Sequence, residues 1–215
     1  MQLAESAYTQ LRNMILSGEL APGLGITESG IVERLAIGKT PVREAMRRLV
    51  LEGLLDVTPR LGYTVAGISL DHVMELFDLL TIVEVAAAQA SAGNLDDLML
   101  QRLDALSDIG YDPDDHDSMV RFISSNAEFH ITIAQGSGNR RLADLIALLM
   151  TESRRFAQIA NLSGAHGQAV TEQHKAIVSA LRTRDRNRIA DAVTAHLRQS
   201  ASLVLDSLHE VSVAD

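Results

Sequence analysis

Apolar residues recur at helical spacing almost from the first residue. Tyr8, Leu11, Met14 and Ile15 share one face of a helix predicted over residues 2–17, which Gly18 ends before the turn Ala21-Pro22-Gly23. Ile31, Val32 and Leu35 mark a second, shorter helix, and Ala36-Ile37-Gly38 a tight turn. A third helix carries Val42, Ala45, Met46, Leu49 and Val50 on one face. Thr40 is expected to cap it, with Pro41 as its first residue, where the missing N–H has no partner to lose. After Gly53 the period changes. Residues 54–58 and 63–66 read as strands, joined by the turn Pro59-Arg60-Leu61-Gly62.

Strand patterning does not return beyond Ala66. Gly67-Ile68 reads as a linker and Ser69 as the cap of a helix over 69–92, with Val73, Leu76, Phe77, Leu80, Val83 and Val85 as its apolar residues. Asn94 is expected to cap a helix reaching Ile109, and four more helices are predicted at about 114–135, 139–160, 167–183 and 185–209. Gly136-Ser137-Gly138 and Ser163-Gly164-Ala165 punctuate them. The acidic run 112–117 lacks calcium-loop spacing and reads as a solvated loop. The expected architecture is mainly α. Residues 1–66 form a winged helix-turn-helix (three helices plus a small β-hairpin), and residues 67–215 an all-α six-helix bundle.

The third helix carries the first candidate chemistry. Arg43 and Arg47, four apart, share a face away from the apolar stripe, and Lys39 lies just ahead. A short helix with an apolar back and a cationic front suits the DNA major groove. The plain alternative is a helical hairpin with solvated arginines. The strand pair that follows favours DNA, because its turn places Arg60 where a wing would meet phosphate or the minor groove.

Composition changes this picture in three places. Hydrophobic content of 47% supports buried cores, but only 3% of residues are aromatic, so those cores must be aliphatic. With no cysteine, disulfides and thiolate metal sites are excluded. No stretch reads as a membrane span or signal peptide, so a cytoplasmic protein is expected. The net charge of −9 sits badly with DNA until it is located. Residues 1–66 hold seven basic and seven acidic groups, and the remaining 12 basic and 21 acidic groups lie beyond. Binding must then rest on a few placed cations and on dimer symmetry.

The second half carries polar residues on apolar stripes. Asn126 and His130, four apart, fall with Met119, Ile123 and Ile133. His174 falls with Val170, Ile177, Val178 and Leu181, and His196 with Ile189, Val193 and Leu203. Buried polar groups need partners. Hydrogen bonds to backbone or neighbouring helices would serve. So would one divalent metal, since imidazole nitrogens with an oxygen suit zinc, nickel, manganese or iron. His72, His116, His166 and His209 read as exposed, with no role assigned.

Two stretches resemble known families. Leu11-Arg12, Ile15, Gly18, Leu20 and Pro22-Gly23, then Thr40-Pro41-Val42-Arg43-Glu44-Ala45-Met46, Leu49 and Glu52-Gly53-Leu54, are similar to the signature of the GntR bacterial regulators over nearly all of residues 8–66. Members commonly have Ser-Arg where this chain has Gly38-Lys39, and an arginine where it has Ser29. The resemblance and the cationic face together give Ser29, Lys39, Thr40, Arg43, Arg47, Arg60 and Gly62 as candidate DNA contacts. Lysine at position 39 offers a point charge rather than a two-pronged donor, which implies an operator different from the family's usual one. Residues 69–210 resemble the ligand-sensing domain named after FadR (the FCD domain) in its six-helix form. Its metal-binding branch is matched by Asn126-Ala127-Glu128-Phe129-His130, Glu172-Gln173-His174 and Ala195-His196-Leu197, with Asn126 standing where Asp is commoner. This implies a metal set of Asn126, His130, His174 and His196, with zinc or nickel favoured. Glu84 is present, but Leu80 replaces an arginine often found four residues before it. Arg154 and Arg155 are the candidates to hold an anionic effector instead, a structural ion pair being the alternative.

The implied function is a ligand-responsive transcription regulator, a repressor in the expected case. It would bind a pseudo-palindromic DNA operator as a homodimer and sense a small organic acid, a carboxylate, near the metal. A metal-dependent enzyme using the three histidines is the competing reading, although no paired base, nucleophile or oxyanion motif lies near them. A DNA-binding protein with a vestigial ligand pocket is the third.

Overall fold

The computed structural model describes residues 2–213 except 17, 68, 113 and 160–163, and their side chains except at 116, 155, 157–159, 164–166 and 209–213. The expected helix end at Ser17 and linker residue Ile68 lie outside the described residues, as do the side chains of His116, His166, His209 and Arg155. The chain divides into two compact units, Met1–Ser69 and Leu70–Asp215.

The first unit runs α1 (Gln2–Leu16), β1 (Gly25–Ile26), α2 (Glu28–Leu35), α3 (Lys39–Leu51), β2 (Leu55–Thr58) and β3 (Gly62–Val65). Leu11, Ile15, Leu20, Ile31, Val42, Met46, Leu49, Leu54 and Val65 form its aliphatic core. The two predicted strands pair antiparallel from Leu55↔Val65 to Thr58↔Gly62. A third strand was not expected. β1 adds Gly25↔Thr64 and Ile26↔Tyr63, giving the order β1-β3-β2. Two residues are too few to show an alternating pattern.

α3 also starts two residues earlier than expected, at Lys39 rather than Pro41. Gly38 occupies the cap position without a side-chain bond, so Thr40 is not the N-cap. Pro41 is still tolerated. The first N–H to close a helical bond is that of Val42, onto the Gly38 carbonyl, so the N–H that proline lacks had no helical partner.

The second unit runs α4 (Leu70–Ser91), α5 (Asp97–Ser107), α6 (His116–Gly136), α7 (Arg140–Ile159), α8 (Gly164–Thr183) and α9 (Arg186–Val213). α4 packs against α6, α7 and α9, α6 against α5 and α7, and α8 against α5 and α9. Leu80, Leu103, Ile146, Ile177, Ile189 and Val193 are among the buried aliphatic residues. The cap of α5 differs from expectation. Asp96 accepts from the Met99 N–H, whereas the Asn94 amide donates to the Ala90 carbonyl and finishes α4. Among the described residues, no helix is long and apolar enough to cross a membrane.

Candidate DNA-recognition surface and metal centre

α3 buries Val42, Ala45, Met46 and Leu49 and exposes Lys39, Thr40, Arg43 and Arg47 on its outer side. The cations of this unit are not equivalent. Arg48 is committed to structure. Its guanidinium lies 3.6 Å from the centre of the Tyr8 ring and bonds Glu5 and Glu52, while the Tyr8 hydroxyl donates to Glu52 at 2.9 Å. That cluster fastens α1 to α3. Arg43 makes a two-pronged pair with Glu28, Nε to Oε1 at 2.8 Å and Nη2 to Oε2 at 2.9 Å. This bond with Arg43 holds the Glu28 carboxyl below its usual range. Among the described residues, Lys39, Arg47 and Arg60 hold no ion pair or side-chain hydrogen bond. Ser29 is exposed beside the α2 cap, its hydroxyl 3.2 Å from that of Thr27.

At the wing, the backbone accounts for one predicted residue. Arg60 and Gly62 both have positive φ, 69° and 114°. A Cβ on Gly62 would sit 2.7 Å from the Ile26 carbonyl oxygen. That neighbour is backbone in the adjoining strand and cannot rotate away. Gly62→Ala should therefore lower stability by more than about 1 kcal/mol, the usual penalty for a side chain at an incompatible φ. A clear fall in the urea midpoint is expected. An unchanged midpoint would leave contact with DNA as the only role for this glycine.

In the second unit, α6, α8 and α9 bring His130, His174 and His196 together, all buried, with one ligand nitrogen from each lying within 4.8 Å of the others. The Nε2 atoms of His130 and His196 are 3.2 Å apart. On the far side of each ring, Glu84 Oε2 meets His130 Nδ1 at 2.5 Å and Gln173 Oε1 meets His196 Nδ1 at 3.0 Å. Both oxygens accept, so both Nδ1 atoms donate, and in the neutral rings that leaves each Nε2 with a lone pair free for a metal. His174 stacks on Phe129 with ring centres 4.0 Å apart, but its Nε2 is buried without a hydrogen-bond partner. Glu84 Oε1 is likewise buried without a hydrogen-bond partner. Three imidazole nitrogens within 4.8 Å of one another, one of them without a partner, and a buried carboxyl group behind them suit a divalent cation.

Burial, reinforced by the neighbouring imidazoles, pushes His174 and His196 well below the ordinary histidine value. Neutral rings are what a metal requires. The same shifts set a pH dependence for the metal-free protein. Below about pH 6.5 the unfolded chain binds more protons than the folded one, so stability is fully present above that value and is lost as pH falls through the depressed folded values. Urea midpoints of chelator-treated protein should fall from pH 7.5 to 5.5. A flat profile would mean that these rings are not held neutral.

Glu84 and Gln173 are the residues whose part here was missed. Glu84 had a visible signal, since a carboxylate on the buried stripe of Val73, Phe77, Leu80 and Ala87 requires a partner. Asn126, one turn before His130 on α6, is half-buried and lines a cavity with Phe77, Phe122, Arg154, Val170 and Ser200. Arg154 donates to the Ser124 hydroxyl at 3.0 Å beside that cavity. His72 is not the exposed residue expected. It is partly buried, 2.5 Å from Glu152, with its ring edge toward Phe156, because the first turn of α4 lies against α7.

Profiles of two families match the chain: bacterial regulatory proteins of the gntR family over residues 3–65, and the FCD domain over residues 75–199. The chain belongs to the GntR family and carries its FCD domain. Relatives of this GntR-family chain include the HTH-type transcriptional regulator YdhC of Bacillus subtilis, 24% identical over 94% of this chain and 91% of that one. The HTH-type transcriptional repressor GlaR of Escherichia coli is 27% identical over 88% and 90%. The Nta operon transcriptional regulator of Aminobacter aminovorans is 26% identical over 90% of each. Among solved structures, the fold matches that of E. coli McbR/YncC with a TM-score of 0.79 and 20% identity, covering 97% and 99%. A GntR regulator from Rhodococcus sp. RHA1 also matches at 0.79, with 18% identity over 96% and 99%. This FCD-type GntR protein is thus a DNA-binding transcription regulator and not an enzyme.

Proposed function

We propose that the protein is a repressor that binds a two-fold symmetric operator as a homodimer. In this reading it responds to a small carboxylate sensed beside a divalent metal held by His130, His174 and His196. The observation that carries the metal reading is the clustering of the three buried rings, one nitrogen of each within 4.8 Å of the others, with the His174 Nε2 buried and without a hydrogen-bond partner. When bound, the metal supplies a Lewis-acidic site for an oxygen of the effector. Glu84 and Gln173 hold two rings in the ligating tautomer, and Phe129 holds the third by stacking. Asn126, on the same helix face as His130, is the proposed oxygen ligand.

The cavity supports the carboxylate reading. Arg154 would face the anionic end, while Phe77, Phe122 and Val170 would cover a short apolar body. Arg155, whose side chain lies outside the described residues, stays a proposed effector contact by sequence alone. On DNA, Lys39, Thr40, Arg43 and Arg47 would enter the major groove, with Ser29 beside them and Arg60 on the wing. Few cations per copy make one half-site weak, which supports a dimer on two half-sites. The name of GlaR, a repressor, supports the same mode here. Such a protein works in the cytoplasm, where its operator is.

The test has two parts. Duplexes enriched from a random library by the protein should share an inverted repeat. Thermal shift against carboxylates, with zinc or nickel present, should yield a stabilising ligand that also changes affinity for the enriched duplex. The effector acts only through its different affinity for the two arrangements. Enrichment of an inverted repeat with no response to any carboxylate would favour a vestigial pocket instead.

A further inference from the structure

From the Glu28–Arg43 geometry we infer that Glu28 is a positioning residue for base recognition, one that sets which edge of the Arg43 guanidinium is offered to DNA. The inference rests on the proposed reading of α3 as the recognition helix. A guanidinium has two edges that can donate a parallel pair of hydrogen bonds, the Nε/Nη2 side and the Nη1/Nη2 end. Glu28 takes the first, with both carboxylate oxygens engaged at 2.8 and 2.9 Å. The end edge remains, and it is the one that matches O6 and N7 of guanine across the major groove. The Arg43 side chain is 44% exposed, so this pairing does not bury it.

Glu28 is itself well fixed. It is the first residue of α2, directly after Thr27, whose hydroxyl accepts from the Gly30 N–H at 3.1 Å. The start of a helix favours a carboxylate there, and α2 packs against α3, so the buttress stands on a rigid element rather than a loop. A flexible arginine held in one orientation before binding loses less freedom on binding. Arg47, one turn further along α3 and without such a partner, is left to contact phosphate in any register. The structure therefore assigns different tasks to the two arginines. Arg43 reads one guanine and Arg47 adds affinity without sequence preference.

The test uses the full-length protein and the duplex that the wild type enriches from a random library. Each base pair of a half-site is replaced in turn, and affinity is measured over a range of salt. Arg43→Ala should lose discrimination at one G·C pair. Glu28→Ala should lose most of it at that same pair, by about tenfold or more, with Glu28→Gln in between, since its amide keeps one acceptor. The slope of log affinity against log salt should barely change for either Glu28 variant, because no phosphate contact is removed. In an Arg43→Ala background, Glu28→Ala should add no further loss at that pair.

A uniform rise in affinity for every duplex, with discrimination intact in both Glu28 variants, would overturn the inference and make Glu28 a repulsive charge only. No loss of discrimination in Arg43→Ala would overturn the recognition reading itself, and this one with it. Loss in Arg43→Ala with none in the Glu28 variants overturns the positioning role alone.

Discussion

Arg43→Ala should abolish sequence-specific DNA binding while the protein stays folded. The Arg43 side chain lies on the exposed side of α3, opposite Val42, Met46 and Leu49, and Glu28 is its hydrogen-bonding partner. Removing it opens no cavity and strands no buried group. A two-pronged contact to guanine contributes about tenfold to a hundredfold in discrimination. A homodimer on two half-sites loses that factor twice. Binding to unrelated DNA should persist, because Lys39, Arg47 and Arg60 still neutralise phosphates. The comparison that matters is therefore the ratio of specific to non-specific affinity at one salt concentration. That ratio should collapse while the thermal midpoint moves by no more than a degree or two, as expected of a surface substitution. An unchanged ratio would remove Arg43 from the recognition surface and leave α3 an ordinary solvated helix.

The sequence made the helices of both units legible because their apolar residues repeat every three or four positions over long stretches. The recognition helix was visible for the same reason, as were the three histidines, each breaking an apolar stripe. What escaped has a common cause: it depends on neighbours distant in sequence. β1 exists because Thr64 and Tyr63 offer an edge to Gly25 and Ile26, and two residues carry no period of their own. The α5 cap fell to Asp96 rather than Asn94 because Asn94 is occupied with the carbonyl of Ala90. Gly62 looked like a DNA contact by resemblance, yet its φ and the nearby Ile26 carbonyl give it a structural reason to be glycine. Glu84 lies 46 positions before His130, and only the packing of α4 on α6 shows that one orients the other. His72 was misread for a like reason, since Glu152 is 80 positions away.

His174→Ala should remove the capacity to bind metal without weakening binding to DNA. Glu84 and Gln173 hold His130 and His196 through Nδ1, whereas His174 is held by stacking and its Nε2 has no hydrogen bond to lose. In the metal-free protein that nitrogen is a buried liability, so its deletion offsets part of the cavity left beside Phe129. Basal stability should then fall by less than the roughly 2–5 kcal/mol typical of a large side chain truncated in a core. The large effect appears when metal is added. A cation at 100 times its dissociation constant stabilises the wild type by about 2.7 kcal/mol through mass action, and this increment should vanish in the variant. Glu84→Gln should act differently. It leaves three nitrogens in place but loosens the tautomer of His130, weakening metal affinity by about 10- to 100-fold. Elemental analysis of untagged protein purified without chelator, followed by melts with zinc, nickel and manganese, separates the cases. Equal metal content in wild type and His174→Ala would place the metal elsewhere. No metal in either, even after incubation, would turn the three nitrogens into hydrogen-bond partners for an organic effector. His174, as the ring with an unsatisfied nitrogen, would then be the first to contact it.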